Sequence, residues 1–345
     1  MKEIKFGKII INKNQPAVII AEIACQHGGD LVIAKKLILA AKESGADIAK
    51  FQLHLPEKEM IANTINFWGG SLDDVLKKSN FSQPEQHIEL MNFCQKNDIQ
   101  YLCTPFCKEA ADILDDIGAE AFKIGSGEFT NLSMLRHIAK KKKPIIASTG
   151  MCTLQEIDEA IMVFNEEKAN FMLMNCTSEY PAKYDHLRLN FIKLLEEKYD
   201  ILVGQSDHTR EIYSAIAAVT LGAVVIEKHF SLPDLKGPDD VVSLHPSEFK
   251  MMVDGIHKIE KALSNKKEVT IEEQIVRDWA HHSVVAAKNI YRGEKINVQN
   301  VKVARPGSGI PGKFVDPLFS QLLFGKKAAK DLLENTILQW EDLED

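Results

Sequence analysis

The segment "PIIASTGMCTLQEIDEAIMVFNEEKANFMLMNCTS" (residues 144–178) contains the pattern that predicts the fold of most of the chain. It begins and ends with short apolar runs that finish in small polar residues, as buried parallel strands do. Between these runs, Thr153 and Glu156 form a Thr-x-x-Glu capping pattern at the start of an amphipathic stretch. The segment therefore predicts a strand, a helix and a second strand.

The same alternation recurs through the first 265 residues. Eight units in about 250 residues is the size of a (β/α)8 TIM barrel. The alternative is a doubly wound open sheet, but its Gly-x-Gly-x-x-Gly loop is not present in "AEIACQHGGD" (21–30), after the first strand. We therefore predict an α/β fold with a TIM-barrel domain over residues 1–265. The expected strands are 17–24, 47–53, 99–106, 121–127, 144–150, 171–178, 201–208 and 224–230.

The composition changes after residue 265. Residues 266–279 are polar and predict a linker, and residues 280–345 show short strand patterns and turn residues such as "RGE". We predict a small β-rich domain over residues 280–345. A domain of about 65 residues has a marginal core, so we expect it to dock onto a partner surface.

The charge balance and the apolar runs exclude several classes of partner. The 345-residue chain has a net charge of −7, which predicts no attraction to nucleic acid or to an anionic membrane surface. Its start lacks the features of a signal peptide, and no uncharged run approaches the roughly 20 residues of a membrane span. Six scattered cysteines form no Cys-x-x-Cys pair. We expect a cytoplasmic protein.

The seventh and eighth expected strands each end near a histidine. Parallel neighbours lie about 4.8 Å apart, so His208 and His229 could reach one cation. Two imidazoles with carboxylates nearby suit Mn²⁺, Mg²⁺ or another divalent ion with open positions for water and substrate. The alternative for each histidine is a helix cap or a hydrogen-bonded core residue.

Two lysines, Lys50 and Lys123, lie within apolar strand runs. A buried lysine is costly unless it meets an anion, and hydroxyl residues are expected at the same level of the barrel. This combination predicts a site for a carboxylate and a phosphate, whereas a Schiff-base lysine, the alternative, needs only one desolvated amine. The hydroxyl residues are Thr104, Ser126, Ser148 and Ser206.

A carboxylate follows two glycines in "KIGSGEFTN" (123–131). Because glycines let the backbone approach a ligand, Glu128 is a candidate general acid or base. The alternative is that Glu128 caps the helix expected from Asn131.

Seven motifs, in their order along the chain, resemble those of the sialic acid synthases and the bacterial nonulosonic acid synthases. The resemblance covers nearly the whole chain and includes a C-terminal module similar to type III antifreeze proteins, an SAF or β-clip domain. It implies condensation of phosphoenolpyruvate with an open-chain N-acetylated amino sugar. The products would be a nine-carbon 2-keto sugar acid and phosphate. The motifs are "KIGSGE", "STGM", "CTSEYP", "SDHT", "EKHF", "GPDD" and "RPGSG".

The resemblance also implies a role for each matching residue. His208 and His229 would bind Mn²⁺, which would polarise the sugar aldehyde, and Glu128 would handle the proton of water or of the intermediate. Lys50, Lys123 and the four hydroxyl residues would bind phosphoenolpyruvate. The sugar would contact Glu22, Gln52, Tyr180 and Asp239.

Arg305, in "ARPGSGI" (304–310), has an implied role in another subunit. In the family that this chain resembles, the equivalent arginine reaches the partner's active site and contacts the acyl group of the sugar. The resemblance therefore implies a domain-swapped homodimer. The alternative is an exposed arginine in a turn.

The sequence leaves the sugar open. We expect N-acetylmannosamine and a product of the N-acetylneuraminate type; the alternative is a diacetamido trideoxy-hexose that gives legionaminate or pseudaminate. Where many relatives have "NHNG", this chain has "QHGG" (26–29), and residues 63–81 form a long excursion expected to shape the sugar pocket.

A metal-dependent barrel isomerase or hydrolase would not need the two lysines. A non-catalytic sugar-binding or ice-binding protein would need none of the strand-end residues.

Overall fold

The computed structural model describes residues 2–61, 76, 80–263 and 266–345, so most of the 63–81 excursion lies outside the described residues. The chain divides into two compact units, Met1–Leu263 and Ser264–Asp345. Segment 266–279, expected to be a linker, contains most of a ten-residue helix, α10 (Ile271–Ala280). The helix belongs to the second unit.

Eight parallel strands form one sheet in the first unit. The strands are β3 (Val18–Glu22), β4 (Ile48–Leu53), β5 (Gln100–Pro105), β6 (Phe122–Ile124), β7 (Ile145–Ser148), β8 (Phe171–Cys176), β9 (Val203–Asp207) and β10 (Val225–His229). Each strand lies inside its expected range but is shorter at one or both ends. The hydrogen-bonded order is β5-β4-β3-β10-β9-β8-β7-β6, and the two end strands lie side by side, which closes the sheet into the predicted TIM barrel.

Helices surround this sheet and bury their apolar stripes against it. The expected cap at Thr153 is present: its Oγ1 accepts from the Glu156 amide, and the Glu156 carboxylate accepts from the Thr153 amide. The α-helices that lie wholly within the described residues of this unit are α1 (Leu31–Glu43), α2 (Pro56–Glu59), α3 (Pro84–Lys96), α4 (Lys108–Asp116), α5 (Leu132–Ala139), α6 (Leu154–Glu166), α7 (Phe191–Tyr199), α8 (Tyr213–Thr220) and α9 (Pro246–Ala262).

A hairpin precedes the barrel and covers its amino end. Strands β1 (Ile4–Phe6) and β2 (Ile9–Ile11) pair antiparallel. Their side chains Ile4, Phe6 and Ile11 are buried in one cluster with apolar residues inside the barrel. The hairpin therefore closes the barrel interior at the end opposite the polar strand ends.

The second unit has its own small apolar core. Strands β11 (Ser283–Ala286) and β12 (Val301–Ala304) pair antiparallel, as do β13 (Lys327–Ala328) and β14 (Leu343–Glu344). Their core includes Val284, Ile290 and Leu338, all fully buried. This is the β-rich unit that the sequence predicts. Within the described residues, no helix is long and apolar enough to cross a membrane.

Candidate active site

A cavity of about 650 Å³ opens at the carboxyl ends of the barrel strands. All the site residues predicted in the barrel line this cavity, because polar residues that end parallel strands converge at one rim. Arg305 lies in the other unit, with its guanidinium 5.5 Å from the centre of the Trp279 ring. The predicted residues in the cavity are Glu22, Lys50, Gln52, Thr104, Lys123, Ser126, Glu128, Ser148, Tyr180, Ser206, His208, His229 and Asp239.

Carboxylates surround the two lysines. Lys50 Nζ lies 2.5 Å from Glu22 Oε2 and 2.9 Å from Glu227 Oε2, and Lys123 Nζ lies 3.8 Å from Glu227 Oε1. Burial lowers the pKa of Lys50 to about 8, although Glu227 opposes the shift. Burial alone would raise the pKa of Glu227, but Lys123 and Lys50 outweigh it and hold that pKa at about 2. Glu227 is thus the charged centre between the lysines.

The hydroxyl groups lie around these charges. Ser148 Oγ accepts a 2.6 Å hydrogen bond from Lys123, and Ser206 Oγ donates to Glu227 Oε1 at 2.9 Å. Ser126 Oγ accepts from the Gly150 amide at 3.0 Å. Thr104 Oγ1 is buried and has no hydrogen-bond partner among the described residues. A hydroxyl that is buried in a polar cavity without a partner is a candidate ligand contact.

The rings of His208 and His229 face each other, with centroids 5.3 Å apart. His208 Nδ1 is 2.9 Å from the Thr177 carbonyl oxygen, so this nitrogen donates and the Nε2 of a neutral ring keeps its lone pair. His229 Nδ1 is buried without a hydrogen-bond partner in the described chain. Burial, with the nearby His208 and Lys50, holds the pKa of His229 well below its usual value. Burial alone would lower the pKa of His208, but Cys176 and the Thr177 carbonyl raise it, so His208 offers its Nε2 lone pair only when the ring is neutral, whereas His229 is held neutral.

These donors fit a divalent cation that keeps open coordination positions. The nearest carboxylate to His229 Nδ1 is Asp239, whose Oδ2 lies 3.8 Å away. Burial raises the pKa of Asp239 to about 6. Over the described ranges, no three His, Cys, Asp or Glu side chains are grouped as a complete ligand set. Two imidazoles leave room for water and substrate, as catalytic sites require.

Glu128 faces the cavity with an unpaired, buried oxygen. Its Oε2 has no hydrogen-bond partner within the described residues, and burial raises the pKa of the carboxyl to about 7. Gly125 leaves space for it, since a Cβ there would lie 2.5 Å from Glu128 Oε2. The helix cap is Asn131, whose Oδ1 accepts from the Met134 amide. The capping alternative for Glu128 is therefore wrong.

A chain of polar contacts runs along the cavity wall at the end of β4. Gln52 Nε2 donates to Glu22 Oε1 at 3.2 Å, and Gln52 Oε1 faces His54 Nε2 at 3.1 Å. His54 Nδ1 in turn lies 2.8 Å from Glu59 Oε1, and the ring stacks on Phe106 with centroids 3.7 Å apart. The side-chain amide of Gln52, an expected sugar ligand, is thus fixed by Glu22 at its nitrogen and by His54 at its oxygen.

Tyr180 lies on the histidine side of the cavity. Its ring centre is 4.3 Å from that of His208 and 5.9 Å from that of His229.

Two of these residues, Glu227 and His54, have no role in the sequence-based site. Glu227 lies two positions before His229 on the same strand, and His54 lies two positions after Gln52, just beyond the end of its strand. Residues two apart share a face of a strand, so this spacing was the available signal.

The departure at "QHGG" is not part of the cavity wall. Gln26 Nε2 donates to Ser243 Oγ at 3.2 Å, and a Cβ at Gly237 would lie 1.8 Å from Gln26 Oε1. The ring of His27 stacks on Phe81 with centroids 4.0 Å apart. Both side chains support the loops around the cavity.

The closed parallel barrel and the polar cavity at its carboxyl end define the class of the molecule, a (β/α)8-barrel enzyme with a second, β-rich unit. Residues 37–268 match the NeuB family, and residues 281–344 match the SAF domain. The chain belongs to the NeuB family, and it is an enzyme of the NeuB type.

Relatives align over nearly the full length of the chain. The chain is 38% identical to an N,N'-diacetyllegionaminic acid synthase of Campylobacter jejuni, over 93% of this chain and 98% of that protein. It is 35% identical to a pseudaminic acid synthase of the same species, over 96% and 98%. A crystal structure of the N-acetylneuraminic acid synthetase of Leptospira borgpetersenii aligns with a TM-score of 0.72 at 32% identity, over 80% of this chain and 95% of that one.

Proposed function

We propose that this protein condenses phosphoenolpyruvate with an open-chain N-acetylated amino sugar and water, forming a nine-carbon 2-keto sugar acid and phosphate. The observation that carries the proposal is one cavity lined by two buried lysines and by two buried histidines whose rings face each other. A NeuB-type barrel with this arrangement can hold an anion and an electrophile next to each other.

The lysine end would bind phosphoenolpyruvate. Lys50 and Lys123 would contact the phosphate and carboxylate, and Thr104, Ser126, Ser148 and Ser206 would donate or share hydrogen bonds. Glu227 offsets part of the positive charge between the lysines. We infer that this carboxylate limits how tightly the anions bind, which helps phosphate to leave after the reaction.

The histidine end would bind the cation and the sugar. A divalent cation such as Mn²⁺ or Mg²⁺, held by His208 and His229, would polarise the aldehyde and stabilise the charge that develops on its oxygen. Glu22, Gln52, Tyr180 and Asp239 would orient the sugar chain. Because the two ends share one cavity, the methylene carbon of phosphoenolpyruvate would face the aldehyde carbon.

Glu128 would move the proton of the attacking water. The methylene carbon of phosphoenolpyruvate forms the new carbon–carbon bond, the aldehyde oxygen gains a proton, and water adds to the adjacent carbon that bears the phosphate. Breakage of the carbon–oxygen bond then releases phosphate and leaves the keto group. A carboxyl with a pKa of about 7 can accept and return a proton at neutral pH.

We propose a diacetamido trideoxy-hexose as the sugar, as in the legionaminate branch. The identity of 38% to an N,N'-diacetyllegionaminic acid synthase supports it. The second candidate is N-acetylmannosamine, the substrate expected from the sequence, and the likeness to an N-acetylneuraminic acid synthetase favours it.

We also propose that the protein works as a domain-swapped homodimer. Arg305 lies in the SAF unit rather than among the residues of the barrel cavity. A guanidinium supplied by the SAF unit of a partner subunit would complete the sugar site by contacting an acyl oxygen.

Phosphate release tests the proposed reaction. Purified protein with Mn²⁺ should release phosphate from phosphoenolpyruvate only when a suitable sugar is added, and a chelator should stop it. The panel contains N-acetylmannosamine and the diacetamido trideoxy-hexoses, with N-acetylglucosamine as the sugar control. Turnover of a sugar without phosphoenolpyruvate would favour the isomerase or hydrolase class, and full activity in metal-free buffer would exclude the histidine cation site.

A further inference from the structure

A second buried ion pair lies behind the cavity wall, on the outer face of strands β9 and β10. Lys228 Nζ is 2.8 Å from Asp207 Oδ2, and both side chains are fully buried. Each residue lies next to a candidate metal ligand: Asp207 precedes His208, and Lys228 precedes His229. Because side chains alternate along a strand, the pair points away from the cavity while its neighbours point in.

All the hydrogen-bond acceptors of Lys228 belong to one short segment around His208. Besides Asp207, the ammonium donates to the carbonyl oxygen of Thr209, to Thr209 Oγ1 at 3.2 Å and to the carbonyl oxygen of Glu211 at 3.1 Å. The segment 207–211 carries no helix and ends before α8. One cation on β10 therefore holds the side chain that precedes His208 and the backbone that follows it.

Asp207 strengthens the same segment from the other end. Its Oδ1 accepts from the Thr209 amide at 3.0 Å, and its Oδ2 accepts from Thr209 Oγ1 at 3.1 Å and from Ser214 Oγ at 2.8 Å. The first turn of α8 is thereby joined to the end of β9. With Lys228 bound, every contact of this carboxylate stabilises one conformation of the loop.

Stability alone does not account for such a pair. Apolar residues of similar volume often stabilise a protein as well as a buried ion pair, or better. What an apolar pair cannot do is donate hydrogen bonds to the carbonyl groups of Thr209 and Glu211, which follow the histidine. Groups behind a metal ligand commonly orient that ligand and change metal affinity when they are removed.

We propose that Lys228 is a positioning residue that fixes His208 relative to His229 through its contacts with residues 207–211. The inference rests on the proposed function, because it assumes that the two histidines hold a divalent cation. Lys228 joins the backbone beside one ligand directly to the strand that carries the other. Loss of this contact removes the side-chain link between β10 and residues 207–211 and leaves only the backbone pairing of β9 with β10.

The affinity for Mn²⁺ alone tests the proposal. Isothermal titration of the full-length Lys228→Met protein should show Mn²⁺ binding weakened about 10–100-fold, the range for groups that support metal ligands. Binding of phosphoenolpyruvate in metal-free buffer should change by less than about threefold, because the lysine end does not contact this pair. The spectrum of bound Mn²⁺ in electron paramagnetic resonance should broaden.

Two further variants separate positioning from loss of stability. Asp207→Leu with Lys228→Met replaces the pair by apolar side chains, which keeps the fold but not the carbonyl contacts, so it should show the same loss of Mn²⁺ affinity. If Lys228→Met alone does not fold, the double variant carries the test. Leu135→Ala, in the fully buried part of α5, should destabilise the protein and leave Mn²⁺ binding unchanged.

The outcomes distinguish the two proposals. If the wild type binds Mn²⁺ and the folded variants bind it equally well, the positioning role is wrong and the proposed function stands. Equal weakening in Leu135→Ala would also overturn the role, since general destabilisation would then explain the effect. If the wild type binds no divalent cation and turns over no sugar with phosphoenolpyruvate, the proposed function fails, and the positioning role fails with it.

Discussion

At the scale of single residues, Glu128 combines a proposed proton-transfer role with a pH-dependent cost in stability. Burial raises the pKa of Glu128 from its ordinary 4.5 to about 7 in the fold, so the unfolded chain releases this proton first as the pH rises. Raising the pH through this window therefore weakens the folded state, and the cost is complete above pH 7. A salt-bridged carboxylate has the opposite effect, because it stabilises the folded state as the pH rises.

Glu128→Gln should consequently stabilise the protein at alkaline pH. A shift from 4.5 to about 7 corresponds to about 3 kcal/mol of unfolding free energy at pH 8 and less than about 1 kcal/mol at pH 5. Urea unfolding at the two pH values measures the difference. The same variant should lose about 10²–10⁴-fold in kcat. An equal stability change at both pH values would contradict the raised pKa.

A second residue-scale prediction concerns Glu227. Glu227→Gln should lower the melting temperature, because Lys50 and Lys123 lose the carboxylate between them, and breaking a buried pair costs about 3–5 kcal/mol. The variant should bind phosphoenolpyruvate more tightly, since the substrate's charge would replace that of the carboxylate. Calorimetry measures both effects.

The matched control for Glu227 is Asp158→Asn, which breaks an exposed pair with Lys198 on the barrel surface. It should change neither the melting temperature by more than a degree or two nor the affinity for phosphoenolpyruvate. Weaker binding in Glu227→Gln would mean that the carboxylate mainly orients the lysines.

At the scale of elements, the cap of α6 can be separated from catalysis. Thr153→Ala removes the acceptor for the Glu156 amide and should cost about 1 kcal/mol of unfolding free energy with kcat unchanged. Gln155→Ala, in the same exposed turn, should cost less than about 0.5 kcal/mol. Equal losses in the two variants would show that the cap contributes nothing specific.

The elements also show why some features could be predicted from the sequence and others could not. The barrel strands could be placed because both of their faces are buried and their ends are polar. The segment that contains helix α10 is expected to be a linker because it is largely polar. In the structure, the residues of this helix are mostly exposed. The capping box between Thr270 and Glu273 was the signal that could have identified it.

For the candidate site, the sequence predicts which residues share a face of one strand, but not which residues of different strands come into contact. Alternation places Glu227 and His229 on one face, but it cannot show that Glu227 reaches Lys50 and Lys123, which lie on two other strands. That contact depends on closure of the barrel. The same limit applies to Lys228, whose partner Asp207 is known only once the register of β9 and β10 is known.

At the scale of the whole molecule, mixing two inactive variants tests the proposed exchange of SAF units. Each proposed site takes Glu128 from one subunit and Arg305 from the other, so a heterodimer of Arg305→Ala and Glu128→Gln has one site with both native residues. Because about half of randomly formed dimers are heterodimers, the mixture should recover about a quarter of the wild-type activity. The mixture is unfolded and refolded together, and the assay follows phosphate release. The control is each variant refolded alone, which should stay inactive. Heterodimers that form without recovering activity would exclude the exchange.

The hairpin at the amino end of the barrel limits the routes by which molecules can reach the cavity. Because Ile4, Phe6 and Ile11 are buried against the barrel interior at that end, the described residues leave the cavity at the opposite rim as the route for reactants and products. Under the proposed function, a sugar at the histidine side would obstruct the path to the deeply buried Lys123 and Ser148. Phosphoenolpyruvate would then bind before the sugar, and phosphate would leave after the sugar acid.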